Sequence, residues 1–126
     1  MAKNKIDFDT VRKIGVGFSG VEASTMYRSP ALKVGGKLLA CIPINKSVEP
    51  NSLALSVDFD QRAELIATAP DVYYLTDHYA NYPVVLVRLD RIHRDALPDL
   101  LGMAWRFITT KTRGRKKGTT NVSPTS

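Results

Sequence analysis

Apolar residues recur at helical intervals through Phe8, Val11, Ile14 and Phe18, behind Asp7, a residue type suited to an N-cap. The spacing predicts a first helix running into the glycines of GVGFSG at residues 15–20, with Gly20 closing it and Gly15 allowing close packing. The period then shortens. ALKV (31–34), the Gly35-Gly36 pair and KLLACIPI (37–44) predict a hairpin, because two glycines readily supply the positive φ angles of a tight primed turn. After the polar loop NKSVEPNS, the stretch SLALSVD alternates. Leu53, Leu55 and Val57 point one way and Ser52, Ala54, Ser56 and Asp58 the other, which predicts an antiparallel strand with one wetter face.

Asp58 or Asp60 caps a second helix to about Ala69, with Phe59, Ala63, Ile66 and Ala69 at helical spacing and Pro70 as its stop. VYYL (72–75) and PVVLVRLD (83–90) predict a second strand pair joined by TDHYANY. After Asp95, Leu97, Leu100, Leu101, Ala104, Trp105 and Ile108 form the apolar stripe of a last helix, with Pro98 tolerated in its first turn. The order α-β-β-β-α-β-β-α, with strands arriving in hairpins, predicts an α+β two-layer domain. Its sheet is mainly antiparallel and five-stranded, with helices on one face, so that Phe8, Ile14, Leu101, Trp105 and Ile108 share an apolar layer.

Charge divides the chain unevenly. The net charge is +6, yet Lys111, Arg113, Arg115, Lys116 and Lys117 lie in one short run, and removing those five bases leaves 13 basic against 12 acidic residues. Residues 1–110 therefore read as one nearly neutral domain, and 111–126 as a basic, disordered tail too poor in apolar residues to offset the entropy of ordering. The single Cys41 forms no internal disulfide and has no Cys-x-x-Cys partner. With no apolar run of bilayer length and no signal-peptide core at the N-terminus, the expected location is the cytoplasm, away from membranes.

GVGFSG has the G-x-G-x-x-G spacing of a dinucleotide loop, but a helix and not a strand enters it. Pro30 follows too soon for a crossover helix, and no acid stands between Glu22 and Glu49 to take a ribose. The motif is structural.

DFDTVRKIG, SPALKVGGKLLA, the stretch from LALSVDFDQRAELIATAP to YPVVLVRLDRI, and the closing helix with Trp105 together resemble the MmcQ/YjbR family over about residues 6–108. The resemblance implies a layout similar to frataxin-like and secretion-chaperone-like folds. It also implies DNA binding through a double-wing pair of hairpins, a label that rests on shape. Two positions depart from the family pattern: Ser19-Gly20 stands where many relatives have Pro-Gly, and Tyr82-Pro83 where relatives often have Trp.

Candidate chemistry is sparse. His78 and His93 lack the short-range partners of metal motifs and read as solvated, and Ser19, Ser29 and Cys41 show no base or orienting group nearby in sequence. No catalytic constellation, metal or cofactor is expected. Lys33 and Lys37 flank the Gly35-Gly36 turn, while His78, Tyr79, Tyr82 and Arg88 belong to the second strand pair, where rings and charges suit sugar, base or phosphate contact. Arg88 alternatively pairs with Asp90 or Asp58. Three function classes stay open: a nucleic-acid-binding protein using these residues and the tail bases, a protein-interaction or chaperone-like module, and a small-ligand binder or enzyme with a pocket beside the Tyr-rich loop.

Overall fold

The computed structural model of the chain describes residues 6–26 and 28–114, with side chains as far as 110. Helix α1 (Phe8–Gly15) begins where Asp7 accepts a hydrogen bond from the Thr10 amide, and it ends at Gly15. Residues 16–20 leave the helix as successive turns into the first strand, so Gly20 belongs to the strand entry and does not cap the helix. Gly15 is needed for contact: a Cβ there would lie 2.5 Å from Leu32 Cδ1.

Six strands follow where five were expected: β1 (Val21–Met26), β2 (Ser29–Val34), β3 (Lys37–Cys41), β4 (Ser52–Ser56), β5 (Tyr73–Tyr74) and β6 (Val84–Arg88), in the spatial order β1-β2-β3-β4-β6-β5. Every pairing is antiparallel. The unexpected strand is β1, an edge strand whose residues from Glu22 to Thr25 are exposed. Ladder hydrogen bonds to β2 hold it, and burial leaves no alternation in its sequence to read. Gly35 and Gly36 have φ +56° and +83°, the left-handed pair that the β2–β3 turn requires.

Three helices cover one face: α1, α2 (Phe59–Thr68, capped by Asp58) and α3 (Ala96–Gly114). Val11, Leu32, Leu39, Leu53, Leu55, Val85, Val87, Leu97 and Leu101 form the buried layer between helices and sheet, with Phe8, Ile14 and Trp105 packed against it. In β3, Lys33 pairs with Leu38 and Leu32 with Ala40, leaving Leu39 as an extra residue; this bulge lets Leu39 and Ala40 both enter that layer. Trp105 is half-buried at the edge of the layer. Its ring stacks on Phe18 with centroids 6.1 Å apart, and its indole N–H donates to the Ser19 carbonyl at 2.9 Å.

Two further expectations are corrected. In α2 the inner residues are Leu65, Ile66 and Ala69, while Phe59 and Ala63 are exposed, and Phe59 carries the Arg62 guanidinium 4.7 Å above its ring. The second face of β4 is not wet either: Ser52, Ala54 and Ser56 are 3%, 1% and 7% exposed. Ala31, Cys41, Ala54, Val84 and Leu86 form a second apolar cluster on that face, with Tyr74 of β5 and, from the connecting segments, Val48 and Tyr79 packed against it. The helical backbone of α3 reaches Gly114, past the boundary drawn at 110, and residues 115–126 lie outside the described part. No described helix is long and apolar enough to cross a membrane.

Candidate functional site, a cavity on the helix-free face of the sheet

Cross-strand register places Ala31, Cys41, Ala54 and Leu86 in one row across β2, β3, β4 and β6. Three of the four are small, so the centre of this face is a depression. It opens into a cavity of about 930 Å³. The floor is Leu38, Cys41, Ala54, Ser56 and Val84; one wall is the chain after β3, from Ile42 to Lys46; the other is His78, Tyr79, Tyr82 and Pro83. Met26 and Lys37 also line it, and Phe107 and Ile108, near the C-terminal end of α3, border it from the helix layer. The Ser56 hydroxyl is satisfied by donating to the Leu38 carbonyl at 2.7 Å.

Both walls are braced. Asn45 Oδ1 accepts from the Ser47 amide at 2.9 Å, and Ser47 Oγ donates 3.1 Å to the Thr76 hydroxyl, joining the base of one wall to the other. The second wall contains a single 3₁₀ turn, Asp77–Tyr79, over which Arg62 acts as a clamp from α2. Its Nη1 donates to the Tyr82 carbonyl at 2.8 Å and its Nη2 to that of Ala80 at 3.1 Å. His78 meets the Tyr79 ring edge-on with centroids 4.7 Å apart.

Of the candidates chosen from sequence, the fold brings Lys37, His78, Tyr79 and Tyr82 to this one cavity. Lys33 points to the same face of the sheet, close enough for its charge to act on Cys41. Arg88 is elsewhere. It lies four residues along β6 from Val84, about 13 Å at strand rise, and is fully engaged. Its Nε and Nη2 each donate to a Glu49 carboxylate oxygen at 2.8 Å, Nη1 donates to the Pro70 and Asp71 carbonyls, and the guanidinium lies 4.2 Å over the Tyr74 ring. Its ionic partner is thus Glu49, and neither Asp58 nor Asp90. Tyr74 continues the bracing, since its hydroxyl accepts from the Glu49 amide at 2.9 Å and bonds Ser52 Oγ at 2.5 Å. For Lys111 and Arg113 only the helical backbone is described, and Arg115, Lys116 and Lys117 lie outside the described residues. His93 is exposed in the turn before α3.

Residues missed by sequence reasoning are Arg62, Glu49 and the wall residues Ile44 and Lys46. Ile44 is 59% exposed and Tyr82 55%, so the rim is unusually apolar for surface. The sequence pattern counted Ile44 within the hairpin arm at 37–44, whereas β3 ends at Cys41 and Ile44 stands on the wall beyond it. Inside, burial pushes the Cys41 thiol up to about 11, and desolvation raises the Tyr79 hydroxyl above the usual phenol range, with Cys41 and Tyr74 adding to it. A thiol so placed stays protonated at neutral pH and is a poor nucleophile.

The described architecture, a six-stranded antiparallel sheet with three helices on one face and a braced cavity on the other, is that of an α+β two-layer domain. A solved protein of Deinococcus radiodurans with a DUF419 domain shares this fold at a TM-score of 0.68 and 22% identity, over 96% of this chain and 87% of its own. The YjbR family model matches residues 16–107, and the chain belongs to the YjbR family. Uncharacterised proteins of Mycobacterium bovis and Mycobacterium tuberculosis are 49% identical to it over 47 residues, 37% of this chain. That match spans only 36% of the mycobacterial proteins' length.

Proposed function

We propose that the protein is a non-catalytic binding module whose cavity encloses an apolar guest of small-molecule size. One observation carries this reading: about 930 Å³ of braced space, lined mainly by apolar side chains, opens on the helix-free face of the sheet. Ligand pockets commonly span about 300 to 1,000 Å³ with just such walls and a few polar groups. The Cys41 thiol, protonated at neutral pH, is compatible with binding as the whole task. A lone buried thiol also suits a reducing compartment, and the same reading puts the protein in the cytoplasm.

The test uses a neutral, environment-sensitive dye such as Nile red. The expected result is saturable one-to-one binding that Ile44→Asp weakens about tenfold by placing a charge on the apolar wall, while Val16→Asp, an exposed apolar position outside the cavity lining, leaves it unchanged. No saturable binding, or equal loss in both variants, overturns the reading.

Nucleic-acid binding is the second reading, favoured by the concentration of five bases in residues 111–117. Lys33 and Lys37 flank the β2–β3 turn and add to it, although β2 and β3 are interior strands of the sheet. Arg88, being ion-paired, contributes nothing to such a surface. If the tail bases meet phosphates, truncation after Thr110 reduces the slope of log affinity against log salt by roughly 3 to 4.5 on duplex DNA, at about 0.9 per contact. An unchanged slope removes the tail from this reading.

A further inference from the structure

The lining of the cavity is one-sided in charge. Lys37 at the β2–β3 turn and Lys46 on the first wall are both exposed at its edge, and no described lining residue is an Asp or Glu. Neither lysine has an ion-pair partner among the described residues, although the protein uses its acids freely elsewhere, with Asp9 held by Arg12 and Lys13 and Glu49 by Arg88. Tyr79, half-buried in the second wall, has a hydroxyl with no hydrogen-bond partner among the described residues. Unpaired cations around an apolar concavity disfavour a cationic guest and leave a neutral guest's affinity unchanged. They favour one that is apolar for most of its length and anionic at one end.

We propose that the cavity takes a small monocarboxylate with an apolar body, the body over Cys41, Ala54 and Val84 and the carboxylate at the edge with Lys37 and Lys46. This assignment rests on the reading of the cavity as a ligand site and adds the guest's chemical class. A singly charged head matches the donor set, since lysines act as point charges and the lining offers no arginine fork to grip a phosphate dianion in bidentate fashion. The lysines orient the guest, and the apolar walls supply most of its affinity.

Displacement of bound Nile red separates this assignment from the reading beneath it. Decanoate, decanol and decylammonium share one apolar body and differ only in the head group. Each is titrated against the intact protein and against a Lys37→Met, Lys46→Met double variant, whose changed residues are exposed and leave the core untouched. The expected result is that the ratio of decanoate to decanol affinity falls about five- to tenfold in the double variant. Decylammonium should be the weakest competitor for the original protein, and raising salt should weaken decanoate selectively. A decanoate-to-decanol ratio that is the same in both proteins overturns the carboxylate assignment while the dye still reports a working cavity. Failure of the dye to bind at all overturns the underlying reading first.

Discussion

Cys41 shows how far a single residue was legible. From sequence it was a lone thiol in a strand; in the fold it is 7% exposed, opposite Ala31 and Ala54 on the floor of the cavity. Burial pushes its pKa to about 11, against the partial pull of the Lys33 charge. Compared with a free cysteine near 8.5, its thiolate population at pH 8 is lower by about 200-fold. Iodoacetamide should therefore modify it slowly at pH 8, with a rate rising close to tenfold per pH unit up to about pH 10. A rate near that of a free thiol would show that the floor is open and unburied. Arg88 teaches the converse: its type was read as available charge, yet Glu49, Tyr74 and two carbonyls occupy it. Nothing local in sequence links residues 39 positions apart.

At the scale of elements, the cavity depends on a helix that does not line it. Arg62 of α2 reaches across to the 79–84 segment, and its bonds to the Tyr82 and Ala80 carbonyls hold a wall that has little regular structure of its own. Arg62→Met keeps a similar stem over Phe59 and removes the donors. It should lower stability by roughly 1.5 to 3 kcal/mol, the range for hydrogen bonds from charged groups, and hydrogen exchange should quicken at the amides of Tyr82 and Val84 but not in β2 or β3. Uniform quickening would mean that Arg62 supports the whole domain and not the wall. Periodicity announced α3 and the β2–β3 hairpin clearly because each buries a regular face or needs an unusual turn. It was silent on β1, where the strand is exposed, and misleading on α2, where the apolar Phe59 faces outward and the polar Arg62 does the holding.

For the whole molecule, the Glu49–Arg88 pair ties the end of the long segment between β3 and β4 to β6, the strand beside β4, and the side chains are 50% and 24% exposed. The hydrogen bond from Arg88 holds the Glu49 carboxyl below the usual glutamate range. A carboxylate more acidic in the folded than in the unfolded state contributes fully above the unfolded value, about 4.3, and loses that contribution as pH falls through the lower folded value. Wild type should therefore exceed Glu49→Gln in urea midpoint at pH 7, and the gap should close as pH falls below the unfolded value of about 4.3 and on through the lower folded one. A gap independent of pH would assign the loss to packing and not to the ion pair.

Local patterning determined what is locally encoded: the cap at Asp7 and one at Asp58 or Asp60, the Gly35-Gly36 turn, the alternation of β4, the stripe of α3, and hence an antiparallel sheet under helices. Only the tertiary structure decided what the helix-free face became. The row of small side chains crosses β2, β3 and β4 at one level, and the two walls join through Ser47 and Thr76, 29 residues apart. Which apolar positions face a void, and which cations stand unpaired beside it, depends on strand register and long-range loop contacts. Those quantities arise when distant segments meet, and no period along the chain carries them.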